Sequence, residues 1–454
     1  MKKLAAVLLI LIIAIVIAIP KLVGFQAWHI PAAIDMATGL GAKLACSSRY
    51  VTGLSEEQAK ADIVSYSAAA SLLELTYDEQ AKTVTATLQG MSEKQAQYRE
   101  GLGCTLELGD TTPLDNIIVN TLHATDEPWP NGESVNTINN DVQTLTALQL
   151  NQDNEAGLQT RALLVIKDGQ IIAESYADGF DKDSKLLGWS MGKSVTAMML
   201  GRLDTMKGIN FQQTELFDDW KNDNRKDLNL VHLLQMSSGL DFDEPYVPGS
   251  DSTKMLFTAH SASDVALKST LAHEPSTIFY YSSGTTNLLA RWLFNELGGT
   301  PQAMIDFTYN ELFAPLRMTN SIFETDSSGV LVGSSYLYSS ARDWGRLAQL
   351  LLNDGVWNQQ QLISANWIKQ ASTPNTSVND KRYGYQFWLN GGENELRYPD
   401  LPANAYAMQG NRSQRVMMFP TENAAIVRLG WTTGVYPLNE NFSEILNAIN
   451  NTAR

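Results

Sequence analysis

Ser190 and Lys193 stand three residues apart in Gly188-Trp-Ser-Met-Gly-Lys-Ser-Val-Thr-Ala-Met-Met-Leu200, a stretch that reads as the start of a helix. Residues at that spacing share one helix face, with Cβ atoms about 5–6 Å apart. A serine hydroxyl is a weak nucleophile at its own pKa and needs an adjacent base. A lysine amine in that place can take the hydroxyl proton as the oxygen attacks a carbonyl carbon. The first helical turn also offers free backbone N–H groups to developing negative charge. Val195, Met198, Met199 and Leu203 leave the helix apolar nearly all round, which predicts a buried helix behind a reactive N-terminus.

Ser-x-x-Lys is a two-position pattern, so the stretch must be weighed against other readings. Gly188-Trp-Ser-Met-Gly192 also fits the G-x-S-x-G elbow, which needs a strand before it and an acid and then a histidine after it. Asp181-Lys-Asp-Ser-Lys185 is a poor strand, and no histidine follows His273. The lysine reading is the stronger one.

The elements that must hold this stretch can be read on both sides of it. Upstream, Ala162–Ile166 and Gln170–Ser175 flank Lys167-Asp-Gly169 as a strand, tight turn and strand. Downstream, Val231–Met236 reads as a helix followed by a turn, Ser237-Ser-Gly-Leu-Asp241. Arg415–Phe419 and Ala424–Leu429 read as strands around Pro420-Thr-Glu-Asn423, and Phe442–Asn450 as the last helix. Strands at both ends around a helical middle predict one antiparallel sheet closed by N- and C-terminal segments. Before this region, Ser55–Ala70 reads as a helix opening on a capping box, Ser55-Glu-Glu-Gln58. Leu73–Leu88 alternates as a β-hairpin, and Asp110–Asn140 reads as a long connection.

With 454 residues, 44 % of them hydrophobic, the chain can bury a large core. The net charge of −16 argues against a nucleic-acid partner. His29, His123, His232, His260 and His273 lack metal-ligand spacing, and no phosphate-cradling loop is present, so no metal or cofactor is expected. Met1-Lys-Lys3 followed by an apolar run from Leu4 to Ile19 reads as an export signal, and an uncleaved anchor is favoured over a cleaved peptide. Cys46 and Cys104, the two cysteines, are expected to pair in an oxidising compartment, worth roughly 4 kcal/mol in the chain-entropy model. The expected organisation is a signal segment (1–25), a small region that carries the disulfide and a connection (26–140), and a catalytic domain (141–454).

Several ordered motifs then carry a resemblance. They are Ser190-Met-Gly-Lys193, Leu233-Leu-Gln-Met-Ser-Ser-Gly-Leu240, Pro275-Ser-Thr-Ile-Phe-Tyr-Tyr-Ser-Ser283, and Leu337-Tyr-Ser-Ser-Ala-Arg-Asp-Trp344 through Leu350–Asn358. Over roughly residues 160–435 the chain resembles the serine β-lactamase and penicillin-binding-protein superfamily, in its class C-like esterase and 6-aminohexanoate-dimer hydrolase branch. The resemblance implies a mixed α/β (α+β) fold, with an antiparallel sheet flanked by helices and a helical subdomain. It implies Ser190 as nucleophile, Lys193 as base and Tyr281 as proton shuttle. Ser283 stands where many relatives have asparagine as a substrate contact, and Tyr246 matches a substrate-contacting tyrosine.

The third motif falls on Ala407-Met-Gln-Gly-Asn-Arg-Ser-Gln414, read as a strand beside the serine. A backbone N–H near Asn411 would join that of Ser190 as an oxyanion hole, a device worth ~3–4 kcal/mol per donor. Gly410 would leave room there for a flat or linear acyl chain, with Arg412 close by and its direction open. The expected activity is exported ester or amide hydrolysis of a small molecule, without cofactor, at the periplasmic face of a bacterial inner membrane or free in the periplasm. The rivals are a β-lactamase or D,D-peptidase acting on cell-wall peptides, and a peptide-binding protein without turnover.

Overall fold

The strand of residues 160–167 is buried on both sides, and its side chains divide between two cores. In a computed structural model, which describes residues 26–452, this strand β5 (Thr160–Lys167) lies inside a six-stranded antiparallel sheet. Its neighbours are β6 (Gln170–Tyr176) on one side and β10 (Ala424–Gly430) on the other. The order continues through β9 (Gln414–Phe419) and β8 (Tyr406–Gly410) to the short edge strand β7 (Trp388–Leu389). The C-terminal strand therefore closes directly onto the first strand of the region, as the sequence predicts. The β5–β6 turn uses Asp168 and Gly169 at φ 49° and 75°, the geometry that two-residue hairpin loops favour.

Alternation along β5 decides which element covers each face. Leu163 and Val165 pack with Val142 and Leu150 of helix α3 (Asn140–Glu155) and with Phe442, Ile445 and Ile449 of α7 (Leu438–Thr452). Leu164 and Ile166 face the opposite core, with Leu347 of α6 (Ala341–Leu352) and the buried helix α4 (Met191–Lys207). A small antiparallel sheet of residues 186–187, 337–339 and 321–323 leads the chain into α4. Residues 230–234 are helical, and Gly239, at φ 75°, turns the chain after them.

The region before Asn140 departs from expectation in three places. Helix α1 (Ile30–Ser47) was not read from the sequence. Helix α2 spans only Glu56–Val64, because Ser67 caps a separate 3₁₀ turn at Ala68–Leu72; Ser55 Oγ caps α2 by accepting from the Gln58 N–H at 3.1 Å. The expected hairpin, β1 (Glu74–Asp78) with β2 (Thr83–Thr87), continues into β3 (Glu93–Arg99) and β4 (Gly103–Leu106). Glu93-Lys-Gln-Ala-Gln-Tyr-Arg99 lacks the β-branched residues that mark strands. Cys46 and Cys104 are joined, tying α1 to β4.

Beneath that bridge Lys43 and Glu324 form a buried ion pair. Glu324 also accepts from Ser47 Oγ at 2.8 Å and from the Cys104 N–H at 2.7 Å. The Arg161 guanidinium binds both oxygens of Asp62 at 2.6 Å. The connection of residues 110–140 is pinned rather than loose. Glu133 pairs with Arg342 and Arg346 of α6, and Trp129 is buried. The signal segment expected at residues 1–25 lies outside the described residues. Among those described, no helix is long and apolar enough to cross a membrane.

Candidate active site

Ser190 stands at the start of α4 because the preceding turn is forced. Trp189 has φ 48°, a left-handed conformation that costs a non-glycine residue of order 1 kcal/mol. Its indole is buried against Tyr66, Tyr336 and Trp431, with ring centroids 6.1, 6.2 and 6.4 Å away. Gly188 donates to the Leu337 carbonyl at 2.8 Å, and a Cβ there would run into the Trp344 ring. Packing of three tryptophans and two tyrosines thus holds the turn that projects the serine. The Ser190 N–H has no protein partner among the described residues, which leaves it free for an anion at the helix N-terminus.

Lys193 follows one turn on, 1 % exposed. Its ammonium donates to Ser190 Oγ at 3.0 Å, Ser283 Oγ at 2.9 Å and the Ser334 carbonyl at 3.1 Å. These three bonds use all three N–H groups. Burial lowers the Lys193 pKa to about 8, with the Glu244 carboxylate opposing the shift. Its Nζ lies 4.9 Å from the centroid of the Tyr281 ring. Burial holds the Tyr281 phenol well above its ordinary pKa, with the neighbouring Ser190 hydroxyl opposing the shift. The phenol is therefore neutral and can relay a proton only by giving one as it takes another. Tyr281 stacks on Trp388 of β7 at 5.1 Å between centroids, which fixes the ring.

Ser283 departs from the role expected for it. Fully buried, it opens helix α5 (Ser283–Glu296) and touches protein groups on every side. It accepts from Lys193 and donates to Glu244 Oε1 at 2.6 Å, while its N–H donates to Glu244 Oε2 at 2.6 Å. Tyr246 reaches in with its hydroxyl 3.2 Å from Ser283 Oγ, although the residue is 49 % exposed. Glu244 escaped the sequence reading. It lies in Asp241-Phe-Asp-Glu-Pro245, two residues before Tyr246, where one acid among three gives no signal of its own.

The third-motif segment also needs correction. The strand read over Ala407–Gln414 breaks at Gly410, and residues 411–413 form a 3₁₀ turn with Arg412 at φ 59° and Ser413 at φ 61°. Gly410 is not an open space for an acyl chain. A Cβ there would collide with the Gly188 carbonyl oxygen, so the glycine lets β8 approach the turn before Ser190. Asn411 is exposed, and its Oδ1 accepts from the Arg412 N–H at 2.9 Å. The Arg412 guanidinium lies 3.9 Å from the Tyr66 ring centroid and 5.8 Å from that of Trp431. Buried Arg428 props this turn by donating to the carbonyls of Arg412 and Ser413.

A serine and a desolvated lysine at hydrogen-bond distance, beside a neutral tyrosine, form the constellation of acyl transfer. The β-lactamase family model matches residues 139–443, more than half of the chain. The chain belongs to the β-lactamase family. It is a serine hydrolase by that membership and by the hydrolases it is similar to. The 6-aminohexanoate-dimer hydrolase of Paenarthrobacter ureafaciens is 23 % identical over 295 residues, covering 60 % of this chain and 72 % of the relative. Among solved structures, a family VIII carboxylesterase superposes with a TM-score of 0.54 at 12 % identity, over 70 % of this chain and 100 % of that one. The D-amino acid amidase of Ochrobactrum anthropi SV3 gives 0.53 at 17 % identity, over 69 % and 100 %. At these identities the structural likeness speaks for the fold.

Proposed function

We propose that the protein is an exported hydrolase that cleaves ester or amide bonds of small molecules through an acyl-enzyme on Ser190. The observation that carries the reading is the Lys193 Nζ, buried and 3.0 Å from Ser190 Oγ. In its neutral form Lys193 takes the Ser190 proton while Oγ bonds to the substrate carbonyl carbon. Negative charge then gathers on the carbonyl oxygen, facing the Ser190 N–H and the backbone near Asn411. As the C–O or C–N bond breaks, the leaving alcohol or amine takes a proton relayed through Tyr281 from Lys193. Water, losing its proton by the reverse route, then attacks the ester to free the acid and Ser190. The esterase and amidase among the similar structures support this substrate range. Export is part of the proposal, supported by the basic and then apolar start of the sequence and by the joined cysteines.

Esters and open-chain amides are favoured over β-lactams. A β-lactam carries a carboxylate that wants a cation beside the third-motif strand. Gly410 supplies none, and the Arg412 guanidinium is stacked over the Tyr66 and Trp431 rings. We expect kcat/KM for a short-chain aryl ester to exceed that for a cephalosporin by at least ~100-fold, equivalent to about 2.7 kcal/mol. Both substrates would be assayed at one pH, with the Ser190→Ala rate subtracted. Equal rates, or faster cephalosporin cleavage, would make Arg412 the carboxylate partner and the protein a β-lactamase.

A further inference from the structure

The proposed mechanism needs Lys193 without one of its protons, yet all three N–H groups are engaged in hydrogen bonds. One of these bonds leads away from Ser190. The chain of contacts runs from Lys193 Nζ to Ser283 Oγ at 2.9 Å and from Ser283 Oγ to Glu244 Oε1 at 2.6 Å. The second carboxylate oxygen is fixed by the Ser283 N–H at 2.6 Å, so the carboxylate is aimed by two bonds to one residue. We propose that Glu244 is a positioning residue that sets the charge of Lys193 by exchanging a proton with it through the hydroxyl of Ser283. The inference rests on Lys193 acting as the base toward Ser190.

The exchange balances without any further reactant. Lys193 gives one proton to Ser283 Oγ as Ser283 gives its own to Glu244 Oε1. The products are a neutral amine, an intact hydroxyl and a neutral carboxylic acid. A third of a turn about the Cε–Nζ bond then points the amine lone pair at Ser190. When Lys193 later becomes an ammonium, the reverse exchange restores the carboxylate. The environment narrows the gap between the two states. Burial lowers the Lys193 pKa and raises that of Glu244, and each partner's charge opposes the shift of the other. The remaining groups that act on the pair are the Asp243 carboxylate, the Tyr246 hydroxyl, and the phenols of Tyr281 and Tyr383, which burial holds neutral. No other cation acts on Glu244 as strongly as Lys193 does.

The test is the pH profile of kcat/KM for an aryl ester with wild type, Glu244→Gln and Glu244→Asp. Removing the carboxylate charge lowers the pKa of Lys193, so the acid limb of Glu244→Gln should move down by roughly one pH unit. Its plateau should fall at least ~10-fold, the size of a lost general-acid or general-base contribution. Glu244→Asp keeps the charge and should return the limb toward wild type. Should Glu244→Gln fail to fold, Ser283→Ala breaks the exchange while leaving the carboxylate, and its plateau should fall by a similar factor. An unmoved limb in Glu244→Gln, or a wild-type plateau in Ser283→Ala, would overturn the proposal. Those results leave the base reading standing, because that reading fails separately if Ser190→Ala still forms an acyl adduct.

Discussion

Replacing Gly410 by alanine tests whether this glycine serves a close backbone contact or leaves space for substrate. The added Cβ would fall on the Gly188 carbonyl oxygen, with the Gly188 carbonyl carbon at 3.2 Å and the Gln414 Cβ at 3.1 Å. The obstacle is backbone on one side and a paired strand on the other, so no flexible side chain can move aside. Separating β8 from the Gly188–Ser190 turn to ordinary contact takes a shift on the order of 1 Å. A displacement of that size at a reacting centre costs about 100-fold in rate, and overpacking costs about 1–3 kcal/mol of stability. The assay is kcat/KM on an aryl ester beside a thermal melt of the same preparation. A loss of about two orders of magnitude with a folded, slightly less stable protein is expected. Unchanged activity and melting temperature would refute the packing argument, and loss confined to bulky acyl chains would revive the view that Gly410 makes room for substrate.

Two further outcomes follow from the site and from the region before it. Because burial lowers the Lys193 pKa to about 8 and the base must be neutral, wild-type acylation should rise with pH through that value, leaving below it only the share of neutral Lys193 that exchange with Glu244 supplies; a profile flat from pH 6 to 9 would contradict a lysine base that titrates there. Cys46 and Cys104 close a loop of 58 residues, so Cys46→Ser should cost up to roughly 4 kcal/mol of stability, read as a lowered denaturation midpoint; two alkylatable thiols in the native protein would contradict the bridge.

Among the candidate site residues, Ser190 and Lys193 were legible from spacing, Tyr281 only through the resemblance, and Glu244 not at all. Ser190 and Lys193 share one helical turn, so spacing alone brings them together. The two hairpins of the main sheet were readable because alternation and turn residues are local signals. Glu244 was invisible because its meaning depends on Ser283, a residue on another element. The break after Gly410 was missed because Arg412 and Ser413 adopt positive φ, which their residue types do not announce. Helix α1 carries Gly39 and Gly41 in its interior, weak helix formers that the sequence reading passed over. They sit where a Cβ would press on Phe257 and Leu73, so packing rather than propensity selects them.

The central claim is that Ser190 forms a covalent acyl intermediate. Intact-mass spectrometry of the protein mixed with a slowly turned-over aryl ester measures this directly, with Ser190→Ala treated in parallel. The account predicts an added acyl mass on the wild type, mapped to the peptide that contains Ser190, and none on the variant. An adduct of the same mass on Ser190→Ala, or ester turnover by that variant at the wild-type rate, would contradict it.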